Sequence, residues 1–303
     1  MSRSRGSAII AALLIVALVA VIGGRVLVHQ EMWISQITAR NDLDTARETA
    51  LAGLHWARAV LYDDGRRSTT DHTGEAWAQA MPPTVIGEAT VTGQIEDAQG
   101  RFDLNSLVIN GKINPKALSI YSRLLGNLGL PPSLAESAAD WIDEDDELIS
   151  QESAESAYYS ALANRYSPSN RPFGSIEELL RVRGYTVLIV QQLKPYITTL
   201  PTPAPINVNT ASPELLSALI PRLSLADARQ VATNRQREPF VTTTDIGERL
   251  QYASGENISL LSVQSRFFLV QGTVRQAHVH YQLTALLQRQ ESLWPRVVWL
   301  RQE

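Results

Sequence analysis

The sequence predicts an α+β fold in which a long N-terminal helix packs on an antiparallel sheet and a large all-α domain is inserted into the sheet domain. Three observations carry this expectation. An apolar run near the N-terminus continues into an amphipathic helical stripe. Two blocks of period-two alternation lie far apart in the chain, at 86–104 and 265–300. The region between them, 115–261, is helical in period and rich in capping signals.

The composition belongs to a globular chain: 303 residues, 44% hydrophobic and 19% charged, well outside the disordered range. Lys and Arg total 27 against 31 Asp and Glu, a net charge of −4, so no general attraction to phosphate backbones is expected. The absence of cysteine excludes disulfides, thiolate metal sites and thiol nucleophiles. Compartment must therefore be read from the N-terminus.

Met1 to Gly6 form a short basic leader, and Ala8 to Ile22 an unbroken apolar run. Extended through Val28, about 20 residues suffice to cross a ~30 Å hydrocarbon core, with Arg25 snorkelling at its edge. A cleaved secretory signal shares the basic start and apolar centre, but no A-x-A-like cleavage site follows the run. Arg3 and Arg5 favour a cytoplasmic N-terminus. Beyond Arg25, small and apolar residues recur at Trp33, Ile37, Leu43, Ala46, Ala50, Leu54, Ala57 and Leu61, a helical stripe. The two parts join into one helix from about Ala8 to Tyr62, ~80 Å long, ended by Asp63-Asp64-Gly65. The alternative is an anchor and a separate amphipathic helix kinked at Gly23-Gly24.

Asp63 to Pro83 reads as a loop containing a short helical piece at Glu75–Met81, closed by a Pro82-Pro83 stop. From 86 to 104, Ala89, Val91, Gly93 and Ile95 share one strand face, and Gly100 marks a turn. The partner strands are expected at 265–273, 277–288 and 296–300, with Val279, Tyr281, Leu283 and Ala285 on one face. Between these blocks, eight helices are expected at 115–128, 132–143, 153–163, 175–182, 187–196, 212–220, 226–235 and 243–250. Ser175 with Glu178 reads as a capping box, and Ser212 precedes a proline at the first helical position.

A weak repeat runs through the helical region. Phe102-Asp-Leu-Asn-Ser, followed later by Pro172-Phe173, is echoed by Ile206-Asn-Val-Asn-Thr-Ala and Pro239-Phe240. Such segments look like helix-hairpin-helix units, whose hairpin presents backbone N–H groups to phosphate. The first copy has Val182-Arg183-Gly184-Tyr185, while the second has Pro221-Arg222-Leu223-Ser224 with no glycine. DNA binding through Arg222, Arg229, Arg235, Arg237 and Arg249 stands against a scaffold role, and the acidic net charge favours the scaffold.

The strongest local signal is chemical: six carboxylates fall between Asp140 and Glu147. Their mutual repulsion would be relieved by a hard cation such as Ca²⁺, although an acidic run is ordinarily a solvated face. An EF-hand is excluded, since counting from Asp143 places Leu148 at the sixth position and Ala154 at the twelfth. His278 and His280 share a strand face but have no third ligand nearby. Paired carboxylates can also serve glycoside hydrolysis, but the acidic cluster lies within one short segment with no accompanying substrate groove; no P-loop, dinucleotide fingerprint or triad is present, and no catalysis is expected.

A basic leader ending in glycine and running directly into an apolar, then amphipathic, helix resembles the class III signal of type IV pilins and type II secretion pseudopilins. The resemblance implies cleavage after Gly6 by a prepilin peptidase, methylation of the new N-terminus at Ser7, and retention of the apolar segment. Most members carry Glu at the fifth mature position, which here is Ala11. That departure is shared with the general secretion pathway protein K family of minor pseudopilins, which the chain resembles along essentially its whole length. The family implies a pilin-like fold interrupted by an α-domain, with a leader at 1–6, a membrane segment at 7–28, pilin-like parts at 29–105 and 263–303, and the inserted domain at 106–262. It implies structural calcium on Asp140, Asp143, Asp145, Asp146, Glu155 and Asn170. It also implies an inner-membrane protein with a periplasmic bulk, partnered by other minor pseudopilins near the tip of a pseudopilus and without nucleic acid. A membrane-anchored helix-hairpin-helix DNA receptor is the alternative.

Overall fold

The computed structural model describes residues 4–250, 258–276, 279–291 and 293–303. Arg3, Ala277 and His278 lie outside the described residues. Helix α1 spans Ser4–Arg67 without interruption through Gly23-Gly24. Within it, Ile9–Val26 is long and apolar enough to cross a membrane and is wholly uncovered by the rest of the protein.

The helix ends later than Asp63-Asp64-Gly65 predicts, and side-chain contacts explain why. Arg67 pairs with Asp63 one turn back at 3.1 Å, and Asp64 is held by Arg289 at 2.8 Å. Gly65 remains helical because Arg289 lies against it; a Cβ there would sit 2.9 Å from Arg289 Cδ. The inner face of α1, Ala46, Ala50, Leu54, Ala57 and Leu61, is buried against the sheet. The alanines allow close approach, and each buried leucine contributes about 2 kcal/mol.

After α1 come β1 (Met81–Ile86), β2 (Ala89–Asp97), β3 (Phe102–Asp103), β4 (Val108–Ile109) and β5 (Lys112–Ile113). Then follow α2 (Pro115–Asn127), α3 (Leu134–Asp140), α4 (Ser156–Ser160), α5 (Val187–Leu193), β6 (Ile197–Thr198) and β7 (Ile206–Asn207). The chain continues through α6 (Pro213–Leu219), α7 (Leu225–Asn234), α8 (Thr243–Arg249), β8 (Leu261–Ser262), β9 (Phe267–Gln276), β10 (Val279–Gln290) and β11 (Leu293–Gln302). The main sheet is antiparallel in the order β1-β2-β9-β10-β11. Ala89, Val91 and Ile95 join Val270, Val274, Tyr281, Leu283 and Ala285 beneath α1, as the period-two pattern requires.

Pro82-Pro83 does not stop this sheet; it lies inside β1. A register irregularity between Met81 and Thr84 accommodates the two prolines, and β1 is an edge strand, where their missing N–H groups cost no ladder partner.

The chain from Phe102 to Val263 builds its own core. The expected helices all appear here, with 175–182 realised as a 3-10 turn at Ile176–Arg181. The expected capping box there does not form. Ser175 makes no side-chain cap, and Glu178 instead accepts from Gly174 N at 3.3 Å. Ser212 does cap α6, accepting from Leu215 N at 3.1 Å.

The sequence repeat is a structural one. Strand β3 pairs in parallel with β6, and β7 pairs in parallel with β8. In each unit an asparagine just after the first strand clasps a phenylalanine backbone. Asn105 donates to Phe173 O at 3.1 Å and accepts from Phe173 N at 2.7 Å. Asn209 does the same with Phe240, at 2.9 Å each way.

The inserted domain meets the sheet domain at a buried polar junction. Asn207 Nδ2 donates to Asp71 O, Asp97 Oδ2 and Ser265 Oγ at 2.8–3.0 Å. Asp97 Oδ2 also accepts from Thr210 and Ser265 hydroxyls at 2.6 Å.

Candidate metal centre

The acidic segment begins where α3 ends. Asp140 occupies the last turn of α3, and Trp141 and Ile142 then turn inward, both nearly wholly buried, anchoring the chain before the acidic loop. Trp141 packs edge-on to Tyr159, ring centroids 5.1 Å apart, so the loop's start is fastened to α4. Glu155 stands immediately before α4, and this places it beside the α3 carboxylates.

Asp140, Asp143 and Glu155 converge: one oxygen from each lies within 4.8 Å of the others. Two Ca–O bonds of about 2.4 Å span that distance. All three side chains are buried, at 0%, 0% and 3% exposure. Among the described residues, only Asp140 of the three has a hydrogen-bond partner, its Oδ2 accepting from Ile149 N at 3.4 Å. Asp140 Oδ1 and both oxygens of Asp143 and Glu155 are enclosed with no hydrogen-bond donor. Orphaned buried anions are costly, and a hard cation is the partner that these oxygens fit.

Their proton affinities carry the same signature. Burial, reinforced by the neighbouring carboxylates, pushes Asp140 up to about 6, Asp143 to about 7 and Glu155 to about 8. Protonation or a hard cation would each relieve the repulsion among these oxygens.

Of the other expected ligands, Asp145 and Asp146 fall outside this convergent set. Asp145 and Asp146 are exposed; Asp145 accepts from Glu147 N at 2.9 Å and Asp146 from Ser156 N at 3.1 Å. Both act electrostatically on Glu155. Asn170 is exposed, has φ 44°, and its N–H donates to Trp141 O at 3.1 Å, which brings its loop alongside the acidic segment. The sequence does not single out Arg183, which donates to Ser153 O at 2.7 Å and Gln151 O at 3.3 Å and so ties down the loop leading to Glu155. Its only sequence signal is the hairpin Arg183-Gly184, whose glycine has φ 86°.

The arginines considered for DNA contact are partly consumed inside the fold. Arg235 is 9% exposed and donates to Val208 O and Ala211 O. Arg249 lies over the Phe240 ring at 4.3 Å and donates to Glu238 O at 2.9 Å. Arg222 takes a positive φ of 69° in the glycine-free hairpin. His280 is exposed.

A long helix with an uncovered apolar N-terminal segment, packed at its other end on an antiparallel sheet, defines a pilin-class, membrane-anchorable subunit, here with a large helical insertion. Residues 100–202 and 206–264 match two family domains, each described as type II secretion system (T2SS), protein K. The type II secretion system protein K of Pseudomonas aeruginosa is 33% identical over 94% of this chain and 88% of its own length. That of Pectobacterium carotovorum is 27% identical over 94% and 93%. The crystal structure of the GspK-GspI-GspJ complex from enterotoxigenic Escherichia coli contains a chain with the same fold, at TM-score 0.71, 21% identity and coverage of 88% of this chain and 99% of that one. The chain belongs to the type II secretion system protein K family. Its role is accordingly in type II protein secretion, as a minor pseudopilin.

Proposed function

We propose that the chain is anchored in the bacterial inner membrane by the Ile9–Val26 segment, with its N-terminus cytoplasmic and its folded bulk periplasmic, and that it sits at or near the tip of the pseudopilus. The observation that carries this reading is the helix itself. Past the membrane segment, Trp33, Ile34, Ile37 and Leu43 are still largely exposed, although nothing soluble requires apolar residues there. Helices of neighbouring pseudopilins would cover that face through apolar packing. The inserted domain adds bulk to the pilin-like core, which would block addition of further subunits and so initiate or cap the fibre. Ala11 fits the same position, because a subunit with nothing above it has no neighbouring ammonium to neutralise. The complex formed by GspK with GspI and GspJ in the E. coli structure supports other minor pseudopilins as the partners.

Maturation follows from the same reading: a prepilin peptidase would cut between Gly6 and Ser7 and methylate Ser7. Both residues lie within continuous helix. Intact-mass analysis of the membrane-extracted protein tests this. A mature chain beginning at N-methylated Ser7 is expected, with Gly6→Leu accumulating as precursor; a chain beginning at Met1 in cells with active peptidase would overturn it.

The metal centre is structural in this proposal. Asp140, Asp143 and Glu155 would supply the inner ligands to Ca²⁺, and Asp145, Asp146 and Asn170 would complete the shell. The ion would supply charge neutralisation alone, pinning the 143–155 loop to the inserted domain. No catalytic role is assigned to the protein.

A further inference from the structure

A second set of carboxylates converges where α1 hands over to β1 of the main sheet. Asp64 lies near the end of α1, while Asp71 and Glu75 lie in the segment that follows, and one oxygen from each is within 4.8 Å of the others. We propose that Asp64, Asp71 and Glu75 form a divalent-cation site, taking Ca²⁺ or a similarly hard ion, with Arg289 as a fixed neighbour that neutralises part of their charge.

The decisive atom is Asp71 Oδ1. Asp71 is 1% exposed; its Oδ2 accepts from Ser265 N at 2.7 Å and from Arg289, but Oδ1 is enclosed without a donor among the described residues. Arg289 serves the other side of the cluster: it bonds Asp64 Oδ2 at 2.8 Å and Ser265 O at 2.8 Å. Glu75 uses Oε2 to accept from His72 N at 2.9 Å and Trp77 Nε1 at 2.8 Å, leaving Oε1 for an ion.

Charge points the same way. Three carboxylates face one guanidinium, and Asp97, fully buried, adds to the negative field at Asp71. A guanidinium alone leaves the group anionic, whereas a divalent ion beside it brings the group to neutrality. The ligand type follows from the donors, which are all hard oxygens. Occupancy would lock the end of α1 to Asp71, whose backbone carbonyl is held by Asn207 of the inserted domain.

The test is equilibrium dialysis of radiolabelled Ca²⁺ with the full chain in detergent. It compares wild type, Glu75→Gln, Asp143→Asn/Glu155→Gln and the triple variant. Glu75→Gln keeps an oxygen acceptor for His72 N and Trp77, so the segment retains its fold. The expected result is that Glu75→Gln lowers bound Ca²⁺ by about one ion per chain, in the wild-type background and in the Asp143→Asn/Glu155→Gln background alike. Terbium luminescence sensitised by Trp77 should disappear in Trp77→Phe on the same double background. Equal Ca²⁺ uptake by Glu75→Gln and its parent in both backgrounds overturns the proposal, and it does so whether or not the Asp143 centre binds calcium.

Discussion

Asn209 and Phe240 exchange two hydrogen bonds, the side-chain amide donating to the Phe240 carbonyl and accepting from its N–H, at 2.9 Å each way. Asn105 and Phe173 make the same clasp in the preceding unit. A side chain here does the work of a strand partner, satisfying a backbone that neither two-residue parallel ladder reaches. Because Asn209 is 1% exposed, Asn209→Ala would leave both Phe240 groups without a partner, at a cost of about 2–4 kcal/mol. Asn105→Ala, at a half-buried position, should cost about 1–2 kcal/mol. Denaturant melts of the two variants check this order, which fails if Asn209→Ala changes stability by less than Asn105→Ala.

Replacing an inner metal ligand should change the sign of its effect with calcium. In chelator, Asp143→Asn removes one of three crowded, mutually repelling carboxylates and should raise the melting temperature. With millimolar Ca²⁺ present, the same variant should lose most of the calcium-induced upshift seen in wild type, expected at roughly 5 °C or more from ligand linkage. Thermal melts in the two buffers decide it; a variant less stable than wild type in both would mean that the carboxylate is structural by itself.

The pH dependence follows from the raised affinities of Asp140, Asp143 and Glu155, at about 6, 7 and 8. Their unfolded values lie near 4, so between about pH 4 and pH 8 the folded, metal-free state holds more protons than the unfolded one. Stability must then fall as pH rises through that window. Calcium replaces those protons, so added Ca²⁺ should flatten the decline and release protons on binding near neutral pH. Melting curves from pH 4.5 to 8 with and without chelator test the slope; a metal-free protein that gains stability towards pH 8 contradicts it.

Arg235 should behave as a core residue. Arg235→Ala removes the donors to Val208 O and Ala211 O and should destabilise the inserted domain by about 2–3 kcal/mol. Duplex DNA affinity, weak at physiological salt in wild type, should be unchanged in Arg229→Ala and Arg237→Ala. Filter binding across a salt series reads this out, and a steep salt slope lost with either arginine would restore a nucleic-acid role.

Much of the architecture is legible in the sequence because it rests on local periodicity. The stripe from Ala46 to Leu61 and the alternation of Val91 and Ile95 with Val274 and Leu283 state outright which faces are buried. The cues that misled are those whose outcome is settled by a distant neighbour. Pro82-Pro83 reads as a stop, and only the position of β1 at a sheet edge makes it a strand. Gly65 reads as a helix end until Arg289 is brought against it from β10. Ser175 and Glu178 have capping-box spacing, but the 3-10 turn redirects Glu178 to Gly174. Asp140 and Asp143 stand out in a dense acidic run around Trp141, whereas Asp64, Asp71 and Glu75 are widely spaced, with Arg66 and Arg67 between the first two, and attract no notice. The Asn105 and Asn209 clasps show in sequence only as faint repetition, since their meaning depends on the Phe each one reaches.

The junction at Asp97, Asn207, Ser265 and Asp71 has a mechanical meaning. A subunit pulled or pushed along α1 transmits load to its inserted domain through this knot of short, directional hydrogen bonds. Such bonds give little under small strain, unlike apolar contacts that can slide, and they part together when they part. The helical domain is therefore fixed to the sheet domain by directional bonds set beside the small apolar cluster of Ala98, Leu200, Phe267 and Leu286, a joint in which orientation as well as contact is specified.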